Sequence, residues 1–505
     1  MSQDLQHTTE SEENLAPNTY WKSLGELARN KEYEEYEHRE FGKEASELGD
    51  PVTRKSFLRI MGASIAMAGF AACRRPVQKI LPYSRQPEDV TIGIPMHYAS
   101  VFSHQDAATG ILIENNEGRP SKIEGNPDHP ASRGKTTLYE QAMILSMYDP
   151  DRSRGIRFNG EPSTKDDFIA AAASHFADRS RRVLFVSELS SSPTMLRLKE
   201  QALSQFPNAR WVNYEPFGEA NAFEGAELAF GQRLRTVNHF DRADVIVALD
   251  DDFMSPQSHK NALQNARMVT DRRKVMTTED TMNRLYVVEG TFTSTGSYAD
   301  SRKKLKASHV APFTFALAAR LYNATNASEL RPFAGVNNEF LLDETLEAMV
   351  EDLLAAQGSS LVTAGYGQPS EVHAAVAAIN AALGNIGTSN SATVTYHVVD
   401  HVDGSESLAS FAEAIAAVNR GEFDTMVLVG TNPAFNAPSD IDVAGALDKT
   451  TVFHLADMVD ETSKQATWHV NRAHSLEQWG DARSFSGAYS VVQPQILPLF
   501  DGWSE

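Results

Sequence analysis

Short apolar runs alternating with helical stretches constrain this chain more than any other feature. The runs fall at residues 182–187 (RVLFVS), 244–249 (DVIVAL), 285–288 (LYVV), 361–364, 393–399 and 425–429. Each is the length of a strand, and each is apolar enough to be covered on both faces, as strands of a parallel sheet are. Between them lie stretches such as 192–206, which opens Ser-Pro as a capped helix does, and the Ala-rich 372–383. Strand and helix in alternation give crossover units and a doubly wound α/β architecture.

With 505 residues, 41% of them hydrophobic, the chain is too long for one core and should form two to four compact units. The formal charge of −21 repels phosphate, so no nucleic-acid partner is expected. Such a surface suits a basic partner such as many c-type cytochromes, though solubility accounts for acidity equally well. Cys73 is the only cysteine. One thiolate rules out an internal disulfide, a Cys-rich zinc site, an iron–sulfur cluster held by four cysteines and a covalent haem of the C-x-x-C-H type.

Residues 1–50 form an acidic segment in which Tyr20, Leu24 and Leu27 recur at helical spacing. A solvated leader and a docking segment are both consistent with it. Residues 51–76 differ abruptly: Arg54-Lys55-Ser56-Phe57-Leu58 leads into an apolar run, 60–72, and then Cys73-Arg74-Arg75-Pro76. The run is shorter than the roughly 20 residues that span a bilayer and suits a signal-peptide core. The basic pair resembles a twin-arginine signal, with Lys55 in place of the second arginine. Residues 70–73 (FAAC) resemble a lipobox, which makes Cys73 a candidate lipid anchor, while a buried small-residue helix is the plainer alternative.

Residues 111–134 read ILIENNEGRPSKIEGNPDHPASRG: a strand at 111–114, a hairpin turn at 116–118, a return strand at 121–124, then a rigid Gly-Asn-Pro-Asp-His-Pro corner. Farther on, 145–152 reads LSMYDPDR. These elements resemble, in order, the N-terminal module of the complex iron–sulfur molybdoenzymes. In that family a cysteine cluster ahead of the strand binds a 4Fe–4S centre, whereas 97–110 here has no cysteine. His97, His104 and His129 are the conceivable substitute ligands, against the simpler reading of each as a surface or packing residue.

The α/β regions that follow resemble the two nucleotide-binding-like domains that cradle a pterin dinucleotide in those enzymes. The turn Gly430-Thr431-Asn432-Pro433, at a strand's carboxyl end, is similar to a pterin-contacting loop; a tight strand exit is the plain alternative. Asp250–Asp252 carry no signature marking any of them as a metal ligand. The resemblance thus implies a molybdopterin-oxidoreductase-like α/β fold. A small β-rich module is expected at 77–155, a first α/β domain at 156–335 and a second at 336–505, the last incomplete at its C-terminus.

The leader, the signal-like segment, Lys79-Ile80-Leu81-Pro82-Tyr83, the cysteine-free module, 283–289 (NRLYVVE) and 476–482 (LEQWGDA) occur together in this order. That combination resembles the B subunit of bacterial alternative complex III, a quinol-oxidising respiratory assembly. One departure is Asn471-Arg472, where the related sheet carries Leu-Pro. The resemblance implies a scaffold half with no catalytic residue, metal or molybdopterin of its own. It places 4Fe–4S and 3Fe–4S clusters in a following ferredoxin-like half, so the sequence is expected to be a portion of a longer polypeptide. Its implied partners are pentahaem and monohaem c-type cytochromes, quinol-binding membrane subunits and a terminal oxidase. The implied location is the periplasmic side of the inner membrane. The competing expectation is a catalytic molybdopterin-dependent subunit that lacks only the N-terminal cluster.

Overall fold

A computed structural model describes residues 90–504 together with Ala28. Cys73, Arg54, Lys55 and the segments 1–50 and 51–76 therefore lie outside the described residues. The chain divides into two units, 1–87 and 88–505, and the second is described here.

It opens with a three-stranded antiparallel sheet, Met96–His104, Ala107–Asn116 and Arg119–Gly125. The hairpin expected at 116–118 is present. Glu117 and Gly118 both take positive φ, 53° and 86°, as a two-residue turn between twisted strands demands. The helix Leu138–Met147, opened by a capping box between Thr137 and Glu140, covers this sheet. Ile111, Ile113, Ile123, Met143 and Met147 form the core between them.

Two parallel sheets make up the body. The larger runs Glu161–Pro162, Arg157–Phe158, Trp468–Asn471, Thr451–Ala456, Thr425–Val429, Val183–Ser187, Arg210–Asn213. Its last five strands are parallel, and its first two form an antiparallel edge. Numbered along the chain, those five lie in the order 2-1-3-4-5. The smaller sheet, all parallel, runs Ser301–Lys304, Arg284–Glu289, Val245–Leu249, Ser360–Ala364, an order of 3-2-1-4. Every residue of Val245–Leu249 is buried, as expected of a strand covered on both faces.

The domain boundary expected at 335/336 is not where the sheets divide. Ser360–Ala364 pairs with Val245–Leu249, and Thr425–Val429 pairs with Val183–Ser187. The chain leaves the larger sheet after Arg210–Asn213, builds the smaller one, and returns at Thr425–Val429. Residues 393–399 also differ from expectation: Val394–Val398 joins Leu234–Asn238 in an antiparallel ribbon outside both parallel sheets. Among the described residues no helix is long and apolar enough to cross a membrane.

Arg152, the last residue of LSMYDPDR, fastens the first module to the C-terminal part of the chain. Its Nη1 and Nη2 donate to the two carboxylate oxygens of Glu477 at 3.1 and 2.8 Å, and Nη1 also caps the helix through the Met147 carbonyl at 2.9 Å. Both side chains are almost wholly buried, 2% and 1% exposed. A buried ion pair gains little over a well-packed apolar pair, but losing one partner leaves the other charge stranded. Arg152→Ala should therefore lower unfolding free energy by about 3–5 kcal/mol. Arg152→Met with Glu477→Leu should recover most of the loss. Urea denaturation followed by circular dichroism reads both, and an equal loss in the double variant would refute the account.

Candidate functional site

In a 2-1-3-4-5 sheet the crossovers from strands 1 and 3 leave toward opposite faces, which opens a crevice at their carboxyl ends. Here those strands are Val183–Ser187 and Thr425–Val429, and beyond their ends lies a cavity of about 330 Å3. Glu188, Asp457, Arg472, His474 and Asp481 line it, with Trp479 at 68% exposure beside them.

The first strand–helix turn of such a sheet is the usual anion site, because the helix presents free backbone N–H groups and the positive end of its dipole. In this chain that helix is Pro193–Gln205, capped by Ser192. The position is filled from within. Asp481 accepts from the Thr194 N–H at 3.3 Å, the Thr194 hydroxyl at 2.7 Å and the Ser192 hydroxyl. Burial would raise the Asp481 carboxyl, and the bonds from Ser192 and Thr194 outweigh that and hold it below the usual carboxylate range.

The opposite lip is the loop Gly430-Thr431-Asn432-Pro433. Gly430 takes φ +72°, and a Cβ there would lie 2.5 Å from Nη1 of Arg472 and 3.0 Å from Glu188. The Thr431 carbonyl bonds His454 Nε2 at 3.0 Å. Asn432 is spent on the neighbouring turn: its Oδ1 accepts from the Thr462 N–H and hydroxyl at 3.1 and 2.7 Å, and its Nδ2 donates to Glu461 at 2.9 Å. Pro433 opens the short helix Pro433–Asn436. Arg472 grips Asp457 in two bonds, 2.8 and 3.1 Å.

The charged side chains of this crevice disfavour the diphosphate of a pterin dinucleotide. A diphosphate needs unspent cations or backbone N–H groups. The crevice offers three carboxylates, one of them on the helix N-terminus, and a guanidinium already committed to Asp457.

The three histidines near the first sheet do not converge. His97 is exposed, and the His104 ring stacks on Tyr139 at 5.6 Å. His129, in the Gly-Asn-Pro-Asp-His-Pro corner, is buried; its Nδ1 accepts from the N–H groups of Gly110 and Ala131 at 3.2 Å, and its Nε2 meets the Ser490 hydroxyl at 3.1 Å. A Cβ at Gly110 would fall 2.2 Å from that ring, so the glycine belongs to the corner. No group of three His, Cys, Asp or Glu among the described residues is placed to hold a metal. Asp250 and Asp252 are likewise engaged, by Gln368 at 2.8 Å and by Thr295 at 2.7 and 2.8 Å.

Sequence reasoning gave no warning of the charge cluster centred on Asp106. This wholly buried aspartate follows the turn at Gln105 and accepts from Arg235, Lys260 and His401, the last at 2.9 Å. Glu219 adds a second carboxylate, 3.4 Å from Lys260. Burial alone would raise the Asp106 carboxyl, but Arg235, Lys260 and His401 together hold it well below the ordinary value. Nearby, burial pushes Glu215 up to about 7. These groups are scattered through the sequence as ordinary charges, so only pairing in space reveals them. Arg472 did leave a signal, as half of the Asn471-Arg472 departure.

No family model matches this chain, and no curated protein matches it. Among solved structures it is similar to acetylene hydratase from Pelobacter acetylenicus, with TM-score 0.59 and 11% identity over 81% of this chain and 67% of that one. The formyltransferase/hydrolase complex from Methylorubrum extorquens matches with TM-score 0.45 and 14% identity over 67% of this chain and 92% of the other. The parallel sheets, the β-rich first module and the first of these likenesses define the class: a molybdopterin-oxidoreductase-like α/β fold.

Two outcomes test the site. Asp481→Ala should destabilise the protein by about 1–2 kcal/mol through loss of helix capping. Its urea midpoint should then rise with added phosphate by more than the parent protein's does, the parent showing only the general effect of a surface-excluded salt. Asp106→Asn should cost about 3–5 kcal/mol at neutral pH, since it strands Arg235 and Lys260. Because the folded Asp106 carboxyl lies below its unfolded value, its contribution is complete above that unfolded value and fades as acid carries the pH down through the folded one. The gap between parent and variant should therefore narrow in acid, and a pH-independent gap would exclude the assignment.

Proposed function

We propose that this chain is the docking half of the B subunit of a quinol-oxidising alternative complex III, without a redox cofactor of its own. The reading rests on the ordered motifs from the signal-like segment to LEQWGDA, and the observation that carries it is Asp481. A carboxylate bonded to the helix N-terminus of the main crevice takes the place a cofactor phosphate needs. In this role the α/β body presents a rigid surface to an iron–sulfur half bearing 4Fe–4S and 3Fe–4S clusters. The pentahaem and monohaem cytochromes, the quinol-binding membrane subunits and a terminal oxidase are its proposed neighbours. Its location is peripheral, on the periplasmic face of the inner membrane. The net charge of −21 favours basic partners through steering at low ionic strength.

Metal and pterin analysis of the purified chain, kept free of chelators, tests the proposal. Molybdenum, tungsten and pterin should all fall far below one per chain. One molybdenum or tungsten per chain, with a pterin, would establish the catalytic alternative.

A further inference from the structure

The smaller sheet has a switch point of its own, and docking leaves it without a role. Its 3-2-1-4 order sends crossovers in opposite directions from Val245–Leu249 and Ser360–Ala364. Alongside the carboxyl half of Ser360–Ala364 lies a chamber of about 50 Å3, walled also by residues of the helices Ala220–Phe230 and Ser370–Ala382 and of the ribbon Leu234–Asn238 and Val394–Val398. Two close approaches shape this region. A Cβ at Gly225 would lie 2.3 Å from the Cβ of His373, and one at Gly365 would lie 2.0 Å from the Asp250 carbonyl oxygen.

Several polar groups at the chamber already have partners. Asp251, buried beside it, bonds His259 Nε2 at 2.5 Å and the Thr363 hydroxyl at 2.6 Å. Asn380 is spent on both backbone groups of Val362, at 3.0 and 2.8 Å. His373 differs. Its Nε2 is buried with no hydrogen-bond partner among the described residues, although the ring lines the chamber. The backbone at Gln368 and Gly365 lies against the same ring and favours its charged form, though by less than burial opposes it. Burial pushes the imidazole down to about 4, so at neutral pH the ring is uncharged and its Nε2 is open to one hydrogen bond.

Charge decides what can enter. His259 is balanced by Asp251, and the other lining side chains are neutral. A charged guest would be buried without a counter-ion, at large cost. A water needs about 10–15 Å3 of such space, so the chamber has room for about three to five non-hydrogen atoms.

We propose that this chamber binds one small neutral molecule, a primary amide or a short alcohol, whose polar group hydrogen-bonds Nε2 of His373. Tyr366, its ring tilted by 35° against that of His259 at a centroid distance of 4.3 Å, supplies an aromatic wall. The site is independent of any electron-transfer role.

Acetamide is the probe, with acetate and methylammonium as charged counterparts of similar size. Full chain labelled with 15N-histidine reports the His373 ring directly, and His373→Gln assigns its signal. Acetamide should shift that signal to saturation, and neither charged counterpart should. Ala377→Val or Ala226→Val fills the chamber without removing the imidazole and should abolish the response, and circular dichroism checks that each variant is folded. The proposal is overturned if acetamide gives no saturable shift, if acetate or methylammonium acts as well, or if a folded, filled variant responds unchanged.

Discussion

Arg152 and Glu477 lie 325 positions apart in the chain, and the assembly of the described body turns on their meeting. Glu477 accepts not only the two guanidinium bonds but also the N–H groups of His474 and Leu499, at 2.9 and 3.1 Å. One carboxylate thus sets the path of the chain on both sides of itself and binds it to the helix that covers the first sheet. Its net worth against an apolar substitute is small. What the pair supplies is registry: with both charges buried, any other seating of the first module leaves one of them unpaired. Asp106 repeats the device at the other end of the same sheet, where the turn after Met96–His104 reaches Arg235 and Lys260. Two buried charge clusters fix the module in place beside the apolar contacts it makes with Leu476, Ala482 and Val492.

The crevices have a different origin. They follow from strand order alone, since any sheet of order 2-1-3-4-5 or 3-2-1-4 parts its crossovers at one point. A chain that keeps the fold keeps the openings whether or not anything binds there. What varies is their lining, and the two linings here are opposite in character. The larger is acidic and fills its own helix N-terminus with Asp481. The smaller balances its one ion pair and leaves an imidazole nitrogen without a partner among the described residues.

Much of the local structure was legible in the sequence. The run 425–429 is a strand with those bounds, 182–187 begins one residue later than read, and 192–206 holds the helix Pro193–Gln205. These signals are local: a buried strand and a capped helix each announce themselves in a dozen residues. Nesting does not. Whether Thr425–Val429 pairs with Ser360–Ala364 or with Val183–Ser187 depends on contacts across more than two hundred positions, and both strands are equally apolar. The split expected at 335/336 failed for that reason. The glycine-rich corner was recognisable, but its histidine's task of holding Gly110 was not. Nor could the LEQWGDA segment reveal that Glu477 and Asp481 serve two different sites.

Asp481 also bears on the stability of this fold. An empty helix N-terminus leaves several N–H groups turned toward a water-filled crevice, and a bound phosphate would satisfy them and stabilise the sheet's first crossover. A chain that depends on that ligand folds best when it is bound. Placing a carboxylate at the same position on the neighbouring strand Gly480–Arg483 gives the helix its anion permanently. The ordering cost is then met during folding rather than at each binding event. The same side chain places a negative charge in the crevice, so capping of the helix and repulsion of an anion come from one carboxylate.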